Sequence, residues 1–146
     1  MKPELILTTD EILAVLREAK MCGAPDHAAI LTAYQHGLHA GEVCGIKIAG
    51  LDMEKRCVEI EGVTRTQELT AYRGTNSALL DEPTVVGKYL AEGVEDGSGY
   101  LFLNQTGGAL TETQFRHVFR DIAIAAGLPK QKAVAHMLRR SSPLAA

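Results

Sequence analysis

The stretch Ala28-Ala29-Ile30-Leu31-Thr32-Ala33-Tyr34 carries an apolar side chain at nearly every step. Wound into a helix, such a run presents apolar surface on all sides, and it is stable only when other elements surround it. The chain is therefore expected to fold around one central buried helix, which Asp26 can cap and Gly37 ends. Before it, Thr8-Thr9-Asp10-Glu11 is a capping box, in which Thr8 caps and Glu11 reaches back. Ile12, Leu13, Val15, Leu16 and Ala19 follow at helical spacing, Gly23 ends that helix, and Pro25 is expected to keep it from continuing. After the central helix a short third one is expected, with Glu42, Val43 and Ile46 on its faces, reaching Gly50.

The middle of the chain changes period. Arg56-Cys57-Val58-Glu59-Ile60 alternates like a strand, and Val63 to Thr66 and Leu69 to Tyr72 read as two weaker ones. Asp81-Glu82-Pro83 is a helix start, with Val85, Val86, Tyr89 and Leu90 as its apolar stripe. Tyr100-Leu101-Phe102-Leu103 is a short buried strand or extended segment, and Asn104 to Gly108 is a turn. A second capping box, Thr111-Glu112-Thr113-Gln114, opens a helix with Phe115, Val118, Phe119, Ile122 and Ala126 on one face. Arg116, His117 and Arg120 lie off that face, and Gly127 and Pro129 end the helix. The expected fold class is α+β: one mainly helical domain over residues 1–146 with a small three-stranded antiparallel sheet. No repeat, low-complexity tract or linker divides it.

Length and composition exclude several classes. A chain of 146 residues, 46 % hydrophobic and 23 % charged, can bury a core of its own. No run approaches the ~18 apolar residues of a membrane span, and the start is not that of a secretory leader, so a cytoplasmic protein without a membrane partner is expected. Cys22, Cys44 and Cys57 are odd in number and widely spaced, which argues against a disulfide framework. Cys22, His27, His36, His39 and Cys44 lack metal-ligand spacing, so buried thiols and ordinary surface histidines are expected, and no metal. The net charge is −3, yet it is unevenly spread. From Thr113 onward stand Arg116, Arg120, Lys130, Lys132, Arg139 and Arg140 against Asp121 alone, while Asp81, Glu82, Glu92, Glu95 and Asp96 gather around Lys88. A basic end on an acidic body can track a phosphate backbone with salt-sensitive affinity, and it can equally be a solvated tail.

The most specific chemistry lies in Ala135-His136-Met137-Leu138-Arg139-Arg140-Ser141. A histidine and an arginine three residues apart on a helix share a face. Imidazole beside guanidinium makes a seat for an oxyanion, most naturally a phosphate. A solvated or acid-paired helix end would carry the same short motif. A second stretch, Tyr34-Gln35-His36-Gly37-Leu38-His39-Ala40-Gly41-Glu42-Val43-Cys44, reads as helix, glycine turn, helix.

Together these two stretches resemble the catalytic domain of the tyrosine recombinases, the phage-integrase family, and within it the bacterial recombinases that invert fimbrial promoter switches. The likeness runs from about Thr8 to Ser141. Leu101 to Asn104 with Gly107-Gly108 and Leu110-Thr111 is similar to the family's segment at that point. The resemblance implies an integrase-like fold, a duplex DNA partner, no cofactor, and an association with DNA recombination and integration. A second recombinase protomer is a further expected partner. The family cuts and rejoins DNA through a phosphotyrosine, with two arginines, a lysine and a histidine around the phosphate. Residue by residue, this implies His136 and Arg139 facing the phosphate; the basic C-terminal segment adds Arg140, Arg116 and Arg120 as expected backbone contacts. Leu138 would plug the core, and Glu42 would orient its neighbour.

Two positions depart from the family's pattern. His39 stands where the family has its first catalytic arginine, losing the fixed charge and the forked donors. Glu42 could then pair with His39. Arg65, in Thr64-Arg65-Thr66, stands where the family has a lysine that protonates the leaving oxygen, and arginine holds its proton too tightly for that role. His39, Arg65, His136 and Arg139 are expected on one concave positive surface. Tyr34, Tyr72, Tyr89 and Tyr100 all precede His136, so none occupies the nucleophile's place. An N-terminal DNA-clamping domain and a nucleophile segment are expected to be absent, making this a truncated, degenerate recombinase unable to recombine DNA alone. A non-catalytic interaction protein, or an inert remnant of a mobile element, is the alternative.

Overall fold

The computed structural model describes residues 6–60, 66–92, 99–104 and 108–143. Seven α-helices and a three-stranded sheet are formed by these residues: α1 (Thr9–Cys22), α2 (Ala24–His36), α3 (Ala40–Cys44), β1 (Leu51–Asp52), β2 (Cys57–Glu59), β3 (Thr66–Glu68), α4 (Ser77–Leu80), α5 (Glu82–Ala91), α6 (Glu112–Ala125) and α7 (His136–Ser141). The central helix is α2, with Ala28, Ile30, Leu31 and Ala33 wholly buried. It packs against α1, α3, α5 and α7, as a helix with no polar face must.

Both capping boxes form. The amide of Glu11 donates to Thr8 Oγ1 at 3.2 Å and the amide of Thr8 to Glu11 Oε1 at 2.9 Å. The Thr111–Gln114 pair does the same at the head of α6. Phe115, Phe119, Ile122 and Ala123 then turn inward from α6. Pro25 does not end a helix but sits in the first turn of α2, where its missing N–H costs no hydrogen bond. Gly23, at φ +142°, closes α1 and opens α2 in one residue, so the two helices reverse sharply and pack together.

The sheet has the order β1-β2-β3, antiparallel throughout, with Leu51 opposite Val58 and Val58 opposite Gln67. The expected strand at Cys57–Glu59 is its middle one. Two details differ from the sequence expectation. The first strand is Leu51–Asp52, too short to carry an alternation. Leu69 to Tyr72 is no strand: the amides of Thr70 and Tyr72 donate to Glu82 Oε1 and Asp81 Oδ1, both at 2.8 Å, instead of to a neighbouring strand. Arg65 and Thr64 lie outside the described residues. Tyr100 and Leu103 make isolated bridges to Lys47 and Ala109, with Leu101 and Phe102 buried between.

The third helix is shorter than expected, ending at Cys44, and a 3-10 turn covers Ile48–Gly50. A further 3-10 turn covers Lys130–Lys132 before α7. Two histidines expected on the surface are buried. His27 is 4 % exposed with Nε2 3.0 Å from Leu79 O, and His36 is buried against Glu82. Of the cysteines, Cys44 is buried, Cys57 intermediate and Cys22 exposed.

Candidate nucleic-acid interface

The helix-turn-helix after the central helix is built on Gly37. Its φ of +64° is left-handed, and it ends α2 with its amide bonded to Ala33 O. The chain then extends through Leu38, 4 % exposed, and presents His39 at the head of α3. Glu42 Oε1 accepts the His39 backbone N–H at 2.8 Å. The glutamate therefore pairs with residue 39 through the main chain and fixes the turn, while the imidazole stays exposed.

From the other side comes α6. Its apolar face is buried, so Thr113, Arg116, His117 and Arg120 stand outward. The chain from Ala133 to His136 completes the walls. Ala133 is 2 % exposed, and Met137 and Leu138, each 1 % exposed, anchor the start of α7 in the core. A groove of about 450 Å³ results, lined by His39, Ala40, Thr113, Arg116, His117, Arg120 and residues 133–136. Two of the four residues expected to converge, His39 and His136, line this groove. Arg116 and Arg120, expected as backbone contacts, join them. Arg139 and Arg140 are exposed on α7, and their side chains do not line the groove. The backbone of Arg139 instead lies against the α2–α3 turn, 4.0 Å from where a Cβ on Gly37 would sit.

The groove is polar in a particular way. Arg116 Nη2 pairs with Glu112 Oε1 at 3.2 Å and Arg120 Nε with Asp121 Oδ1 at 3.5 Å. These pairs are exposed, and a polyanion can exchange for their carboxylates at small cost. His117 and Thr113 were not singled out from the sequence. The available signal was the position of His117 beside Arg116, off the apolar face of α6. Among the described residues no group of three metal-ligating side chains is close enough to hold an ion, and no helix is long and apolar enough to cross a membrane.

None of the four tyrosines lines the groove. The Tyr89 hydroxyl is buried and donates to Leu101 O at 2.7 Å. Tyr34 is half-buried on α2, where burial pushes its phenol up. Tyr72 is exposed beside Gly74.

Residues 6–144 match the model of the phage integrase family. The chain belongs to the phage integrase family. It is 26 % identical over 145 residues to the type 1 fimbriae regulatory protein FimB of Escherichia coli, covering 96 % of this chain and 70 % of that protein. Against the tyrosine recombinase XerC of Anoxybacillus flavithermus it is 29 % identical, covering 73 % of this chain and 36 % of the relative. The crystal structure of XerA recombinase superposes with a TM-score of 0.76 at 20 % identity, over 96 % of this chain and 49 % of that one. The mainly helical fold with its small antiparallel sheet is thus the integrase fold. The chain spans about half the length of that solved recombinase.

Proposed function

We propose that this chain binds duplex DNA through its phosphate backbone, in the groove between the α3 turn, α6 and the start of α7, and that these residues alone do not cleave it. The observation that carries this reading is the meeting of His39, Arg116, Arg120 and His136 in one groove of a chain whose net charge is −3. A scatter of basic residues over an acidic protein is not expected to place four phosphate-binding side chains together. In this reading His136 and the two arginines donate to phosphate oxygens, and Arg139 and Arg140, exposed on α7, extend the contact along the strand. Leu138 supports the site from the core, and Glu42 supports it by holding the His39 turn.

The missing chemistry is equally specific. The family reaction needs a phenolic nucleophile at the phosphorus, and the four tyrosines here lie outside the groove. Position 39 offers imidazole in place of guanidinium. The loss of one such electrostatic donor ordinarily costs ~10²–10³ in rate. Family membership supports recombination or integration as the process in which a DNA contact of this kind would serve.

The test is fluorescence anisotropy with a labelled duplex across a salt series, beside Arg116→Ala. Expected is binding that weakens steeply as salt rises, with a shallower salt slope in the variant, by about one unit for one lost phosphate contact. Absence of binding at low salt by folded protein would overturn the reading and leave a protein-binding role.

A further inference from the structure

The groove wall made by residues 133–136 has little of its own to hold it in place. It follows the 3-10 turn Lys130–Lys132 and runs into α7, which has six residues and no side-chain cap at its head. A helix that short is not stable by itself, so its place is set by what it is fastened to. Met137 and Leu138 anchor its inner face. Two further ties come from the segment that leads into α1. Ahead of the wall, Lys132 Nζ donates to Glu11 Oε1 at 2.7 Å, and the same oxygen accepts the Thr8 amide at 2.9 Å. Behind it, Ser141 Oγ accepts the Leu7 amide at 2.8 Å. The two ties bracket His136. The Lys132–Glu11 pair is also unlike the two pairs of α6. Its side chains are 18 % and 24 % exposed, whereas every side chain of those pairs is more than half exposed. Water therefore weakens it less.

We propose that Glu11 and Lys132 are positioning residues for the groove: their ion pair sets the place of the 133–136 wall, and so of His136, from the head of α1. The proposal rests on the DNA-binding reading above. Counted along the sequence, Lys132 is one of the cations offered to a polyanion. In the fold its side chain does not line the groove, and its ammonium is spent on a carboxylate 121 residues away. DNA binding then depends on a lysine that does not touch the DNA. Charge and positioning make opposite predictions for Glu11. Glu11→Gln removes a negative charge from the neighbourhood of a polyanion, which by charge alone favours binding. The amide keeps an oxygen for the Thr8 N–H, so α1 retains its cap. What is lost is the charged half of the tie, and the wall beyond Lys132 is left loose.

The experiment is anisotropy of the full chain with labelled duplex DNA across a salt series, with circular dichroism on the same samples to monitor the fold. Glu11→Gln is expected to weaken binding about threefold at unchanged helix content. Lys132→Met is expected to weaken it to the same extent with the salt slope unaltered, since no phosphate contact is lost; a lysine on the DNA would take about one unit from the slope. The double variant Glu11→Gln, Lys132→Met is expected to be no worse than either single one. Lys132→Arg, which keeps a cation for the same carboxylate, is expected to bind like the unaltered chain. Amide exchange gives a reading without DNA: the Met137 and Leu138 amides, which donate to Val134 O and Ala135 O, should exchange faster in Glu11→Gln while those of α2 do not. Equal or tighter binding by Glu11→Gln would overturn the proposal, as would a slope lowered by about one unit in Lys132→Met or unchanged exchange at Met137 and Leu138. Each of these leaves the DNA-binding reading standing. No binding at low salt by the unaltered, folded chain overturns that reading, and the proposal with it.

Discussion

Glu82 is wholly buried, and its oxygens are taken by His36 and the Thr70 amide. His36 Nε2 lies 2.8 and 2.9 Å from its two oxygens, and the Thr70 amide donates to one of them at 2.8 Å. The three groups tie α2, the segment after β3 and α5 together just before the turn that presents His39. Glu82→Ala would leave the buried His36 side chain and the part-buried Thr70 amide without this partner. Leaving such groups without their hydrogen-bond partner costs about 1–3 kcal/mol, to be read as a lower urea midpoint. Nothing in the sequence marks residues 36 and 82 as partners. Glu82 reads as an ordinary acid at a helix start and His36 as an ordinary helix-end histidine, and their meeting depends on how α5 is docked.

His27 makes a separate pH prediction. Burial drives its pKa below the ordinary histidine value, against the pull of the Leu79 carbonyl. The unfolded chain, with the ordinary value, therefore takes up a proton before the folded one as pH falls through about 6.5. The stability His27 provides is complete above that pH and declines as pH falls from there toward its lower folded value. Chemical denaturation at neutral and mildly acidic pH should show the chain weakening on acidification.

At the scale of elements, Gly37 is the position where a backbone conformation decides the site. A side chain there would be strained by φ +64° and would sit 3.2 Å from Ser142 Oγ. Gly37→Ala is expected to cost about 1–2 kcal/mol and to loosen the seat of α7 beside α2, seen as a lower Tm and weaker DNA binding. Thr111→Ala removes the hydroxyl that accepts the Gln114 amide at the head of α6. About 1 kcal/mol of stability should be lost, with the groove residues a turn or two later left in place. The helices with two written ends were readable in advance: α1 and α6 each have a capping box, an apolar stripe and a glycine stop. The shorter elements were not. Two-residue β1 has no periodicity to read, and the 3-10 turn at Lys130–Lys132 that precedes α7 was not expected.

Over the whole molecule, the two ends of the described chain are fastened to each other. The Leu7 amide donates to Ser141 Oγ at 2.8 Å, and Lys132 reaches Glu11 at 2.7 Å. Burial raises the pKa of Glu11, but the Lys132 ammonium and the Thr8 capping bonds outweigh it and hold the carboxylate below its ordinary value. The groove therefore belongs to one continuous core. A suicide DNA substrate, which traps a phosphotyrosine when cleavage occurs, should yield no covalent adduct with this chain, judged by denaturing gel. A shifted band would show that one of the four tyrosines reaches the phosphate after all.

The local periods, caps and stops in the sequence determined the central helix α2, the limits of α1 and α6, and the two motif-bearing stretches, because these depend on residues within a few positions of one another. His136 could be picked out by its helical spacing from Arg139, whereas His39, Glu42 and Leu138 were picked out only through the resemblance of these stretches to the family. Tertiary structure alone decided that His39 and His136 share a groove with Arg116, His117 and Arg120, that Arg139 stays outside its lining, and that His36 meets Glu82. Those outcomes depend on how α6 and α7 dock against α2, through contacts far apart in the chain, and no local pattern specifies such a distance.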